Sequence, residues 1–166
     1  MYQETLVIFK PDALERKLVG AIIERFEKAG LTIVDIHFYR RVNEAILRRH
    51  YPDAMAEGLG KKAQLATLGI NDPKAHGMKV LERLRKYFTR NPIIAIRFGG
   101  EGAIQAVRNV TGYTDPATAE KGTIRGDFGT DSIAKSTTEG RACENLIHAS
   151  GNSEEAKWEL ALWFPE

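Results

Sequence analysis

The sequence predicts a layered α/β domain in which an antiparallel sheet lies under helices. Three observations carry that expectation. Short apolar and β-branched runs alternate with stretches whose apolar residues recur at helical spacing. Glycine, proline and the Asn71-Asp72-Pro73 turn punctuate the boundaries between them. The chain has 166 residues, enough for one compact core and short for two.

The elements follow in order. Thr5 to Phe9, TLVIF, is continuously apolar rather than alternating, as in a strand covered on both faces. Pro11 biases Lys10 away from the helical region, so the strand should end there. Asp12 with Glu15 reads as a capping-box-like start. Leu18, Ile22, Arg25, Phe26 and Ala29 then keep helical spacing up to Gly30, a C-terminal stop. Leu31 to Tyr39 reads as a second strand, and Asn43 or Glu44 to about Ala56 as a helix. Gly58 to Pro73 reads as loop or turn. Met78, Leu81, Leu84 and Phe88 form the stripe of a further helix, and Ile93 to Phe98 a third strand. Ala103, Ile104, Val107 and Val110 line another helix. Gly112 to about Thr138 has no sustained period; so long a loop in a compact domain is functional or disordered. After the apolar run ending at His148, Asn152 and Glu155 make a capping box for a last helix with Ala156, Leu160 and Trp163 inside.

Composition narrows the class. Hydrophobic residues make up 43% and charged residues 28%, ordinary for a soluble globular protein. The net charge of +2 is dispersed, without the basic run of a nucleic-acid tail, yet suits an anionic small molecule. Cys143 is the single cysteine, so neither an intrachain disulfide nor a thiolate metal cluster can form; it reads as a small packed thiol. The start, MYQETLVIFKPD, lacks the basic and apolar regions of a signal peptide, and no apolar run could span a bilayer. A cytoplasmic protein is expected.

Several residues invite chemistry. There is no Walker A loop, and Gly99, Gly100 and Gly102 read as a tight strand–helix turn because Gln105 stands where a third glycine would be needed. Lys10 lies at the end of a buried strand beside a helix start, a place that suits an anion, although such lysines also simply reach solvent. Thr114 and Arg125 sit among glycines that would let backbone approach a ligand, and Arg108 could point the same way. Two arginines and a lysine in one cleft would bind polyphosphate. His148 reads either as a packed polar group or as a nucleophile held by the Ser150 hydroxyl and the Glu159 carboxylate. A free imidazole is largely neutral near pH 7, so it can attack phosphorus without a strong base.

Three blocks, "TLVIFKPDALERKLVGAIIERFEKAGL", "RNVTGYTDPATAEKGTIRGDFG" and "NLIHASGNSEEAKWELALWF", resemble the nucleoside diphosphate kinase family, in order and across nearly the whole chain. The resemblance implies a ferredoxin-like α/β sandwich with a four-stranded antiparallel sheet, and one domain over residues 1–166. It implies transfer of the γ-phosphoryl group of a nucleoside triphosphate to a nucleoside diphosphate, by a ping-pong route with Mg²⁺ carried on the nucleotide phosphates. It makes His148 the nucleophile, buttressed by Ser150 and Glu159, with Tyr51 nearby. Lys10, Arg108, Thr114 and Arg125 would hold phosphates, and Asn145, with Lys10, the sugar hydroxyls. No side chain is implied as a metal ligand. A homo-oligomer, hexamer or tetramer, is the implied assembly.

This sequence departs from the family pattern in places. The segments at about 58–78 and 130–144 are expanded. Val80 stands where the family carries a base-stacking aromatic, and Ala142 matches the family position on the other side of the base slot. The chain ends at Pro165-Glu166, where many relatives continue with a tail that packs against neighbouring subunits. A nucleotide sensor without catalysis would lack the histidine, the lysine or an arginine, and all are present. A nucleic-acid binder would need a basic stripe beside exposed aromatics, and none accompanies Phe38 and Tyr39.

Overall fold

The computed structural model describes residues 1–165. Four strands form one antiparallel sheet in the order β2-β3-β1-β4. β1 is Tyr2–Phe9, β2 Thr32–Tyr39, β3 Ile93–Glu101 and β4 Ile147–Ala149. The run TLVIF is apolar throughout because β1 is an inner strand with a core on each side. Leu6 and Ile8 enter one core with Leu81, Phe88 and Trp163, whereas Val7 and Phe9 enter the other with Ile22, Phe26 and Val107. The sequence-predicted α/β class and antiparallel sheet are thus what the chain adopts.

Helices cover both faces. On the second core lie α2 (Val19–Lys28) and α6 (Ala103–Thr111), with Phe26 packed on Phe98 at 4.8 Å between ring centres. The predicted helix from Asp12 to Ala29 is in fact two, because Lys17 adopts a left-handed backbone (φ 57) between α1 (Pro11–Glu15) and α2. The apolar spacing runs on across the break and conceals it. Nor do Asp12 and Glu15 cap that helix. Asp12 is buried and bonds elsewhere, and Glu15 accepts from Arg90 and Asn91.

On the first core, the helix expected to reach Ala56 stops at His50, as α3 (Glu44–His50). Pro52 keeps Tyr51 out of helical geometry. A short 3₁₀ turn, Asp53–Met55, leads into α4 (Ala56–Ala66), and Asp72 caps α5 (Pro73–Phe88). The expectation of loop from Gly58 to Pro73 is therefore wrong through Ala66. Gly58 and Gly60 weakened the helix signal, yet Gly60 is there for packing. A Cβ on Gly60 would lie 1.7 Å from the Pro73 carbonyl oxygen, and one on Gly77 would lie 1.6 Å from that of Ala56. The two helices cross backbone to backbone at these glycines.

The stretch from Gly112 to Thr138 is irregular but holds three short helical turns: Pro116–Thr118, α7 (Ile124–Phe128) and α8 (Ile133–Thr138). Asn152 caps the last helix, α9 (Ser153–Trp163), accepting from the Glu155 N–H as predicted, while the Glu155 carboxylate reaches back to the Gly151 N–H and the Asn152 side-chain amide and not to the Asn152 N–H of a full capping box.

Candidate active site

His148 owes its place to strand register. It pairs with Ile8 across β4 and β1, so both side chains point to the face covered by α9. There the Nε2 atom lies 2.9 and 3.1 Å from the two carboxylate oxygens of Glu159. Ser150 makes no hydrogen bond to the histidine ring; its hydroxyl donates to Glu159 at 2.6 Å. Burial opposes the charge on Glu159, but the neighbouring His148, with His50 and the Ser150 hydroxyl, outweighs it and holds the carboxyl down to about 2. With Nε2–H donated to Glu159, Nδ1 is the ring nitrogen that carries the free lone pair.

The approach to the histidine is strained. Leu146 is held at φ 73, a conformation unfavourable for a branched, buried side chain. Its N–H donates to Asp12 at 3.0 Å and its carbonyl accepts from the Lys10 N–H at 2.9 Å. Asp12 also accepts from the Tyr87 hydroxyl. The Lys-Pro-Asp turn therefore clamps the loop that delivers the histidine, a role that a capping reading of Asp12 missed.

His50 was also missed. Its ring stands edge-on to that of His148, 4.5 Å between centres, and its Nδ1 accepts from the Trp163 indole N–H at 3.2 Å. Burial, then the charge of His148, pull its proton affinity down to about 3, so it stays neutral. Tyr51 packs edge-on against His50 at 4.5 Å and lies 6.4 Å from His148. Burial, then Glu159, raises its phenol well above the usual range.

The histidine opens onto a cleft of about 600 Å³, within the range of small-molecule sites. Lys10, Tyr51, Arg108, Thr114, Arg125 and Asn145 all line it. Lys10 is 5% exposed; burial and then the charge of Arg125 lower its ammonium to about 8. It donates to Asn145 Oδ1 at 2.7 Å, and the Asn145 amide donates to the Thr114 carbonyl at 2.9 Å. Arg125 is fixed by three backbone carbonyls, those of Gly112, Asn145 and Ile147, at 3.2, 3.2 and 2.6 Å. Burial lowers its guanidinium to about 10, still charged at neutral pH. Gly112 is obligatory here: its φ is 85, and a Cβ would sit 2.3 Å from the Thr123 hydroxyl. Arg108 is exposed at the rim. Cys143 also lines the cleft, but burial pushes its thiol up to about 12, which leaves it unreactive.

The far end of the cleft is built by α4, α5 and α8, with Leu59, Val80, Leu84 and Ile133 as apolar lining. Ala142 lines it too, so Val80 and Ala142 belong to the same cavity as the histidine. No described carboxylate lining the cleft beside His148 is free to bind a cation. Glu159 is tied to His148 and Glu155 to Gly151 and Asn152. His50, His148 and Glu159 come close enough to share an ion, but their mutual bonds and nitrogen content do not suit Mg²⁺.

Comparison with known proteins agrees with this geometry. The family model for nucleoside diphosphate kinase matches residues 3–61 and 73–166. A nucleoside diphosphate kinase of Pyrobaculum aerophilum is 40% identical over 176 residues, covering 99% of this chain and 96% of that protein. One from Chloroflexus aggregans is 40% identical over 163 residues, covering 98% and 87%. Among solved structures, an NDP kinase from Pyrobaculum aerophilum superposes with a TM-score of 0.89 at 35% identity, covering 100% of this chain and 97% of that one. A Borrelia burgdorferi nucleoside-diphosphate kinase, a transition-state mimic with bound vanadate and ADP, gives 0.84 at 32% identity, covering 99% and 88%. The chain belongs to the nucleoside diphosphate kinase family.

Proposed function

We propose that this phosphotransferase moves the γ-phosphoryl group of a nucleoside triphosphate to a nucleoside diphosphate through a phosphohistidine at His148. The observation that carries the reading is the Glu159–Nε2 contact, made at the mouth of a cleft that also holds Lys10 and Arg125. In the first half-reaction the Nδ1 lone pair attacks the γ-phosphorus. The N–P bond forms as the bond to the β-phosphate oxygen breaks, and the diphosphate leaves with the electron pair. In the second, a β-phosphate oxygen of the acceptor attacks, and the N–P electrons return to the ring. Glu159 stays hydrogen-bonded to Nε2–H and offsets the positive charge that develops on the imidazole.

Lys10, Arg108 and Arg125 supply charge for the phosphates, Thr114 a hydroxyl, and Asn145 with Lys10 contacts to the sugar. Such transfer relies on positioning and charge stabilisation more than on covalent help from the protein. Mg²⁺ enters as part of the nucleotide substrate, held by its phosphate oxygens. The vanadate and ADP of the Borrelia burgdorferi relative support a nucleotide in this cleft.

Residues 1–166 are read as one domain in which the expanded segments, about 58–78 and 130–144, reshape the base slot around Val80. A homo-oligomer, hexamer or tetramer as in the family, fits the apolar side chains Val34, Ile36 and Phe38, which are 42%, 48% and 63% exposed on edge strand β2. No helix among the described residues is long and apolar enough to cross a membrane, consistent with a cytoplasmic enzyme.

The test is phosphoenzyme formation. Wild type given γ-labelled ATP and Mg²⁺ should take up an acid-labile, alkali-stable label, and pass it to UDP on a chase. His148→Ala should take up none. A folded, nucleotide-binding wild type that stays unlabelled would refute the mechanism and favour a nucleotide-binding module.

A further inference from the structure

We propose that a second cavity, beside the nucleotide cleft and distinct from it, binds a small phosphate monoester with a flat apolar body. The proposal does not depend on the nucleotide reading of the cleft.

This cavity has a volume of about 380 Å³, enough for a small organic molecule. It lies between the C-terminal end of α5 and the loop after α8. Arg83, Arg141 and Ala142 form its common wall with the cleft, but Lys10, Arg125 and His148 do not border it. Around it stand four cations, Arg83, Lys86, Arg90 and Arg141, against one carboxylate, Glu144. Two of the cations are already matched. Arg90 pairs with Glu144 at 2.6 Å and Glu15 at 2.7 Å, and Arg141 with Asp131 and Glu139, both at 2.6 Å. Arg83 and Lys86, one turn apart on α5, are not. Among the described residues neither charged group has an ion-pair or hydrogen-bond partner. The Arg83 Nη2 lies 3.6 Å from where a Cβ would stand on Gly140, a residue that borders this cavity and not the cleft.

Two unmatched positive charges suit a dianion. A phosphate monoester carries about 1.5 to 2 negative charges at neutral pH. Its oxygens fit the guanidinium fork of Arg83, and the Lys86 ammonium supplies the second positive charge. A carboxylate would neutralise only one of the two. The rest of the wall is apolar, formed by Tyr87, Ala142 and the methylene stems of the cations. It is also held in place. The Tyr87 hydroxyl donates to Asp12, and the Arg90 guanidinium lies over the Tyr87 ring, 4.8 Å from its centre. Little ordering is then needed on binding, which favours a ligand of matching shape.

Calorimetric titration with phenyl phosphate tests the proposal, on wild type saturated with ADP and Mg²⁺ and separately on Lys10→Met. Phenol, inorganic phosphate and benzoate serve as comparison probes. Phenyl phosphate should bind in one equivalent, about tenfold or more tightly than any of the three, roughly the value of one further polar contact. Lys10→Met should bind it as tightly as ADP-saturated wild type does. Lys86→Met, a change at an exposed position, should weaken it about tenfold. Lys79→Met, on the same helix but bordering neither cavity, should leave it unchanged. Binding that ADP or Lys10→Met removes would put the probe in the nucleotide cleft and overturn the proposal. So would the absence of saturable binding, or benzoate binding as tightly as phenyl phosphate. Equal losses in Lys86→Met and Lys79→Met would also overturn it, by showing only a diffuse positive field. The Lys10→Met titration decides the matter even if the cleft takes no nucleotide.

Discussion

Glu159 meets Nε2 of His148 with both of its carboxylate oxygens, at 2.9 and 3.1 Å, from a helix that begins only a few residues after the histidine. The pair fixes the ring orientation and the tautomer together. Glu159→Gln should therefore slow phosphoenzyme formation by about 10- to 100-fold, the usual effect of losing a partner that orients a reacting histidine. Nucleotide affinity should change little, because Glu159 acts through the ring and not on the phosphates. Ser150→Ala should have a smaller effect in the same direction. Single-turnover labelling against nucleotide concentration separates the two quantities; a raised half-saturation with an unchanged limiting rate would contradict the role.

The same cluster should make the fold acid-sensitive in two stages. His50 is held at about 3 against an ordinary 6.5, so the unfolded chain takes up its proton first. Its contribution is complete above about pH 6.5 and declines as pH falls toward 3. Glu159, at about 2 against 4.5, contributes fully above about pH 4.5 and loses that contribution as pH falls toward 2. Linkage puts the His50 loss at about 1–2 kcal/mol by pH 5. His50→Asn keeps an acceptor for the Trp163 indole and should abolish the first stage only. Urea unfolding at pH 7, 5.5 and 4.5 measures it; an undiminished loss between pH 7 and 5.5 in the variant would assign the first stage elsewhere.

Lys10 sets function against stability. An ammonium buried beside Arg125, lowered to about 8, is a charge that the protein alone does not favour. As a depressed base it contributes fully above about pH 10.5 and loses that contribution as pH falls toward 8, so at neutral pH its charge destabilises the fold. Lys10→Met should raise the melting temperature of the free protein, equivalent to about 1–2 kcal/mol, while weakening nucleotide binding by at least about tenfold. Phosphate binding should return the proton affinity of Lys10 upward, so nucleotide binding near pH 8.5 takes up a proton. Calorimetry in buffers of different ionisation enthalpy reads that uptake, and its persistence in Lys10→Met would place the proton on another group.

That Lys10, Arg108, Thr114, Arg125, Asn145 and His148 share one cleft was legible in the sequence because they sit in short contiguous blocks. Lys10 and Pro11 end a strand by local rules, and Asn152 with Glu155 announces the helix that carries Glu159. Asp12 was misread because the local pattern offers a cap, whereas its partners are Leu146 and Tyr87, 134 and 75 residues away. His50 left no local trace. Its meaning comes from Trp163, 113 residues on, and from a ring-to-ring contact with His148. The break at Lys17 was hidden by an apolar period that continues across it. Helix α4 was hidden in the opposite way: its glycines satisfy a tertiary contact that local propensity counts only as a penalty.

That contact supports the last prediction. Gly77 faces the Ala56 carbonyl and Gly60 that of Pro73, each with no room for a methyl group, and the obstacles are backbone atoms that cannot turn aside. A surface helix normally gains from Gly→Ala, by about 1 kcal/mol. Here the sign should reverse: Gly77→Ala should destabilise the protein by about 2–4 kcal/mol, as overpacked backbone crossings do. Leu59 belongs to α4, and Val80 and Arg83 to α5, so forcing the helices apart should also widen the base end of the cleft. Nucleotide affinity should fall further in Gly77→Ala than labelling of saturated enzyme, because the histidine end is built on β1, β4 and α9. Gly58→Ala is the internal control. A Cβ there meets nothing within 4 Å, so that variant should gain stability, and equal behaviour of the two variants would dissolve the argument for a backbone crossing.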